Sequence, residues 1–144
     1  MKVADLIGSR TEIYSISEDK TVLEAAQYLR SKAVRSAGVV NPSGRLVGVV
    51  SQSDISDKVA AENKCPAWVK VSEIMSCDLL TVTSEMSLEE SLKLMEQNNV
   101  YHLCIVENPA GFRGMLSVSD FLRVMATDEK SRADMLEAYL FPPR

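Results

Sequence analysis

Gly48-Val49-Val50-Ser51-Gln52-Ser53-Asp54 and Gly114-Met115-Leu116-Ser117-Val118-Ser119-Asp120 are one stretch used twice, and that duplication decides the fold. The offset is 66 residues (114 − 48 = 66; 120 − 54 = 66), and it also carries Ile16 to Val82, Thr21 to Ser87, Val34 to Val100 and Val39-Val40 to Ile105-Val106. A repeat of this size marks a supersecondary unit that buries its apolar face against a second copy. Each copy reads as a buried strand that ends in hydroxyls and a carboxylate where a helical pattern begins. Such a junction gathers a hydroxyl, a carboxylate and free helix N–H groups, a combination suited to a phosphorylated ligand.

Outward from the motif, each copy spells the same order of elements. Val3 to Ile7 make a short apolar opening, matched by Val71 to Met75 at an offset of 68 because the first copy carries two extra loop residues. Ile13 to Ser17 and Leu80 to Thr83 alternate apolar and polar residues as half-buried strands do. Thr21-x-x-Glu24 and Ser87-x-x-Glu90 are capping-box signatures, each followed by apolar residues at helical spacing. Then come two apolar runs joined by turns, Asn41-Pro42-Ser43-Gly44 and Asn108-Pro109-Ala110-Gly111, which predict hairpins. The spacing after Asp54 and Asp120 is helical again.

The expected fold is α/β (α+β): two pseudo-two-fold related β-α-β-β-α repeats, with both helices of a unit on one face of its sheet. The first repeat spans 1–62, a linker with the lone Trp68 spans 63–70, and the second repeat spans 71–126. A C-terminal helix and tail fill 127–144, with Ala133, Leu136 and Leu140, joined by Met135 and Tyr139, as the apolar stripe. Trp68 is expected to anchor the linker by packing.

A chain of 144 residues with 46% hydrophobic residues can bury a sizeable core. Sixteen Lys and Arg against 20 Asp and Glu give a net charge of −4, which disfavours a nucleic acid partner. No apolar run is long enough to span a bilayer and no signal-peptide pattern opens the chain, so no membrane and a cytoplasmic location are expected. Cys65, Cys77 and Cys104 show no C-x-x-C spacing, so neither a disulfide framework nor a metal site is expected. Phosphate-loop, dinucleotide, nucleophile-elbow and zinc-protease motifs are missing from the sequence, and no catalytic residues are assigned.

The doubled motif, capped helix and hairpin resemble a tandem pair of cystathionine-β-synthase (CBS) domains, also called a Bateman module, over residues 1 to 126. The C-terminal helix resembles that of small stand-alone bacterial proteins made of one such pair. The resemblance implies a non-enzymatic regulatory module that binds AMP, ADP or ATP, with NAD or S-adenosylmethionine as further candidates, in clefts between the repeats. It implies a homodimer and a downstream protein that the sequence does not identify.

By position, the resemblance puts the ribose contact on Asp54 and Asp120, and hydroxyls for a phosphate on Ser51 and Ser117. A carboxylate there can accept from both ribose hydroxyls. Adenine would be read at Ser15, Ile16, Ala37 and Gly38 in one site, and at Thr81, Val82, Leu103 and Cys104 in the other. The family often has Pro where this chain has Gly38 and Cys104, which is expected to loosen the first site. Basic residues are thinner than in the related proteins: the post-helix positions are Arg35 and Tyr101-His102, so phosphate would lean on Arg35 in one site and on His102 in the other, making the sites unequal.

The plainer reading of Ser51-x-x-Asp54 and Ser117-x-x-Asp120 is a helix cap worth about 1 kcal/mol. The two readings are compatible if Ser53 or Ser119 caps while the Asp faces the cleft. Rival functions are a dimerisation or docking module whose clefts are vestigial, and a thiol sensor built on Cys104 or Cys65.

Overall fold

The computed structural model describes residues 1–8, 10, 12–108 and 111–140. Pro109 and Ala110 of the second predicted turn, and the ending Phe141-Pro142-Pro143-Arg144, lie outside the described residues.

In the first half, β1 (Ser15–Ser17) leads to α2 (Val22–Lys32), then β2 (Ser36–Val40) and β3 (Leu46–Ser51). A helical segment follows, begun by α3 (Gln52–Ile55) and continued over Ser56–Ala60 with π-type turns. The second half repeats this with β4 (Thr81–Val82), α5 (Leu88–Asn98), β5 (His102–Glu107), β6 (Gly111–Ser117) and α6 (Val118–Thr127). Each half is a three-stranded sheet in which the first strand is parallel to the second, and the second antiparallel to the third.

Local chemistry sets these boundaries. The Thr21 hydroxyl accepts from the Glu24 N–H at 3.1 Å, and Glu24 accepts in return from the Thr21 N–H at 3.2 Å. In the second copy the Ser87 hydroxyl accepts from the Glu90 N–H at 3.1 Å. At their C-termini α2 and α5 stop on Ala33 and Asn99, both left-handed with φ 55° and 52°. The duplication therefore extends to the backbone conformation that ends each helix.

The two apolar openings are helices, α1 (Val3–Ile7) and α4 (Val71–Ile74), and each is exchanged between the halves. Val3 is fully buried in the second core with Val82, Leu88, Leu103, Ile105 and Leu116. Its N–H donates to Met86 O at 2.9 Å, while Leu88 N–H donates to Met1 O at 3.0 Å. Reciprocally, Val71 and Ile74 enter the first core with Val22, Val39 and Val50, and Val71 N–H donates to Lys20 O at 2.8 Å. Full burial of one such valine is worth about 1.5–3 kcal/mol, so neither half completes its core alone.

Two expectations about packing are corrected. Trp68, on a 3-10 turn over Pro66–Trp68, is 85% exposed, so its side chain is not a buried anchor for the linker. The last helix, α7 (Glu129–Leu140), docks on α5 and α6 through Met135 and Ala138, whereas Ala133, Leu136 and Leu140 are exposed. Of the five residues expected in the stripe, Met135 is buried and the other four are exposed.

Candidate functional site

The strand-to-helix junctions place both motif acids at the start of a helical turn, each substantially buried: Asp54 is 9% exposed and Asp120 5%. One oxygen of each closes the cap. Asp54 Oδ2 accepts from the Ser51 N–H at 3.0 Å and the Ser51 hydroxyl at 3.1 Å. Asp120 Oδ2 accepts from the Ser117 N–H at 2.8 Å and the Ser117 hydroxyl at 3.2 Å. The capping residues are thus Ser51 and Ser117 with the Asp at the third helical position, not Ser53 and Ser119. Both motif hydroxyls are committed to a carboxylate, and the second oxygen of each acid faces outward to its surroundings.

What meets that second oxygen differs between the halves. Asp54 Oδ1 accepts from the Ser76 hydroxyl at 3.3 Å and pairs with Lys58 at 3.0 Å. Ser76 is held there by an antiparallel bridge to Val49: Val49 N–H donates to Ser76 O at 3.0 Å and Ser76 N–H donates to Val49 O at 2.8 Å. The preceding Met75 lies so close to Gly48 that a Cβ there would sit 2.7 Å from its Sδ. The chain that leaves α4 thus bonds this acid, although at 9% exposure it is no more buried than Asp120 at 5%.

Around Asp120 the structure opens. Gly114, the counterpart of Gly48, has φ +130°, and no atom of the described residues lies within 4 Å of where its Cβ would stand. Small-molecule sites are clefts of about 300–1,000 Å³, and the cavity here is about 590 Å³. Its walls come from both halves: Tyr14, Lys32, Arg35 and Ser36 on one side, and His102, Met115, Ser117, Ser119, Asp120 and Arg123 on the other, with Arg10 between them. Asp120 Oδ1 pairs with Arg10 at 2.6 Å and with Arg123 at 3.0 Å. Arg10 also donates from Nη1 to Met115 O at 2.6 Å. Lys32 is paired with Glu12 at 2.7 Å, while no ion pair of Arg35 is found among the described residues. His102 is held below the ordinary histidine value because burial disfavours its charged form; Asp120 pulls the other way and Arg35 adds repulsion.

Of the residues singled out in the sequence, Arg35, His102, Ser117, Ser119 and Asp120 meet in this one cleft. Arg35 and His102 were assigned to separate sites, and the structure puts them on opposite walls of the same one. Tyr101 lies elsewhere: it is 70% exposed and lines an apolar groove with Phe121, Leu136 and Tyr139 beneath α7. Val82 and Leu103 are buried in the second core, Cys104 is also buried, and exposed Thr81 does not line the cleft. In the first half Ala37, Gly38 and Ile16 are buried, and half-buried Ser15 donates its N–H to the Tyr28 hydroxyl at 3.2 Å. Ser53 is exposed beside Asp54. Gly38 is not a loosening position either, since a Cβ there would meet the Phe112 ring at 2.5 Å. Glycine is required because the second half presses a ring on the strand.

The sequence reading missed Arg10, Lys32, Tyr14 and Arg123, which arrive from three separate elements and carry no motif. Cys104 is packed against Met115 with Sγ 3.8 Å from its Sδ, and burial pushes the thiol up to about 11, which is unfavourable for a thiolate sensor.

A doubled β-α-β-β-α unit with exchanged opening helices and a carboxylate cleft between the copies defines a paired-repeat module. The chain belongs to the CBS domain family, whose model matches residues 3–61 and 71–127. The fold is that of a CBS domain protein of Pyrobaculum aerophilum complexed with AMP, at TM-score 0.81 and 20% identity over 94% of this chain and 98% of that one. It is also that of the CBS domain pair of protein MJ0100 in complex with 5'-methylthioadenosine and S-adenosyl-L-methionine, at TM-score 0.77 and 21% identity, covering 88% and 96% of the two chains. Among curated relatives, the inosine-5'-monophosphate dehydrogenase of Methanocaldococcus jannaschii is 29% identical over 126 residues, 84% of this chain and 24% of the enzyme. The chain spans between 24 and 61% of the length of five curated relatives that it matches. No helix among the described residues is long and apolar enough to cross a membrane.

Proposed function

We propose that the protein is a non-catalytic regulatory module that binds an adenine nucleotide, with AMP, ADP or ATP ahead of NAD and S-adenosylmethionine, in the Asp120 cleft. The observation that carries this reading is the cleft itself: a buried carboxylate with one outward oxygen beside a cationic wall. Asp120 would accept from the ribose hydroxyls, Ser119 and the start of α6 would meet the phosphate, and Arg35, Lys32 and Arg10 would neutralise it. His102, neutral at pH 7, would serve as a hydrogen-bonding wall and not as a fixed charge.

Signalling would follow from the cleft having one wall in each half. A ligand touching both walls favours one relative arrangement of the halves by its difference in affinity for the two. The module is proposed to act as a homodimer in the cytoplasm and to be read by a partner protein. Titration calorimetry of the full chain with AMP, ADP, ATP, NAD and S-adenosylmethionine tests the reading. Heat with at least one nucleotide, lost in Asp120→Ala, is expected; no heat with any of them, in protein shown to be folded and free of carried-over ligand, contradicts it.

A second reading, a docking module with vestigial clefts, draws on the first half, where Asp54 is bonded by Ser76 and Gly38 is packed by Phe112. It predicts that no nucleotide raises the melting temperature, whereas a true ligand at about 100 times its dissociation constant adds about 2.7 kcal/mol.

A further inference from the structure

Arg10 stands where the two halves differ most. Val49 and Met115 are counterparts at the 66-residue offset (49 + 66 = 115), as are Asp54 and Asp120 (54 + 66 = 120). In the first half Ser76 bonds the Val49 backbone and the free oxygen of Asp54, as part of a main-chain bridge. In the second half the same two acceptors, Met115 O and Asp120 Oδ1, are taken by one guanidinium, at 2.6 Å each. A main-chain bridge is fixed by its neighbours. An arginine side chain, 31% exposed on a four-bond stem, leaves its partners by rotation alone.

We propose that Arg10 is the specificity-determining latch of the Asp120 cleft, favouring adenosine ligands that carry a phosphate over those that lack one. The proposal rests on the adenine-nucleotide reading of the cleft. Asp120 Oδ2 is committed to Ser117, so a ribose diol must bond Oδ1, the atom that Arg10 and Arg123 hold. Arg123 is 74% exposed and yields to solvent at little cost. Arg10 gives up a bond to an acid whose side chain is only 6% exposed. A ligand with a phosphate restores that loss, because the freed guanidinium meets a second anion in forked geometry. A ligand without one leaves the loss standing, and discrimination comes from what the rejected ligand fails to repair.

Removing Arg10 should therefore shift two ligands in opposite directions. The test is titration calorimetry of the full chain with adenosine and AMP, on the wild type, Arg10→Ala and Arg10→Lys, each checked for an unchanged melting curve. In Arg10→Ala, AMP is expected to loosen about tenfold as one charge-assisted contact disappears, and adenosine to tighten about threefold. In Arg10→Lys, the retained point charge should keep AMP within about threefold while adenosine still tightens, since an ammonium does not fork between Met115 O and Asp120. An AMP-to-adenosine affinity ratio within about twofold of wild type in Arg10→Ala, or parallel loosening of both ligands, overturns the latch while leaving the nucleotide site standing. Failure of both ligands to bind any of the three proteins overturns the adenine reading and the latch with it.

Discussion

The first and second halves of this molecule carry the same seven-residue motif and put its acid in opposite situations. Asp54 is bonded at its second oxygen by Ser76, on the chain leaving α4, and by Lys58. Asp120 lines a 590 Å³ cleft and, among the described residues, its second oxygen is held by the Arg10 and Arg123 side chains. The acid and its serine cap are alike in both halves, so the motif supplies a cap in each and a site in neither by itself. What decides is the segment that follows the exchanged helix. After α4 it bridges onto β3 through Val49, whereas after α1 it approaches β6 with the Arg10 side chain.

The comparison breaks first at the two acids. Asp120→Ala should abolish nucleotide binding, by about 100-fold or more, because one or two charge-assisted bonds to the ribose are lost at about 1.5–3 kcal/mol each. Asp54→Ala should leave that affinity within about twofold while lowering the melting temperature, since a cap worth about 1 kcal/mol goes with the Ser76 and Lys58 contacts. Calorimetry and thermal melts on the same samples read both effects. Equal loss of binding from either substitution would erase the distinction between the halves.

A second substitution sharpens the claim that the first half is closed by packing. Gly38→Ala forces a methyl to within 2.5 Å of the Phe112 ring. It should destabilise by about 1–3 kcal/mol, the usual cost of overpacking, and lower the melting temperature by several degrees. Pairing it with Phe112→Leu should recover part of the loss, because the two act on one contact.

The smallest effect concerns pH. His102 is held below its ordinary value in the folded protein, while the unfolded chain titrates near 6.5. Between that value and the depressed one, the unfolded state binds the extra proton, so stability is unaffected above about pH 6.5 and declines as the pH falls below it. His102→Gln should flatten that part of the profile in urea melts taken from pH 7.5 to 5. A wild-type profile that rises on acidification would show that Asp120 dominates the imidazole instead.

Much of this architecture was legible in the chain, because repetition makes local signals check each other. The Thr21 and Ser87 caps and the doubled motif fall at one offset, the hairpin turns one residue from it, and the caps and paired strands form where their chemistry requires. Long-range placement was not legible. Nothing in Val3 to Ile7 or Val71 to Ile74 announces that each helix completes the other half's core. Arg10 sits in a loop with no motif, and its 2.6 Å contact with Asp120 spans 110 residues of sequence (120 − 10 = 110). Gly38 read as a looser substitute for proline, yet its reason is a ring from the other half. Trp68 read as an anchor because large aromatics usually bury, and here it stands 85% exposed.

The central proposal is that a nucleotide binds in the Asp120 cleft and not beside Asp54. Native mass spectrometry of the full chain across an AMP titration measures it most directly, by counting nucleotides per chain. The account predicts that binding saturates at one nucleotide per chain and that Asp120→Ala abolishes it. Saturation at two equal sites, or one site that survives Asp120→Ala and disappears in Asp54→Ala, would contradict it.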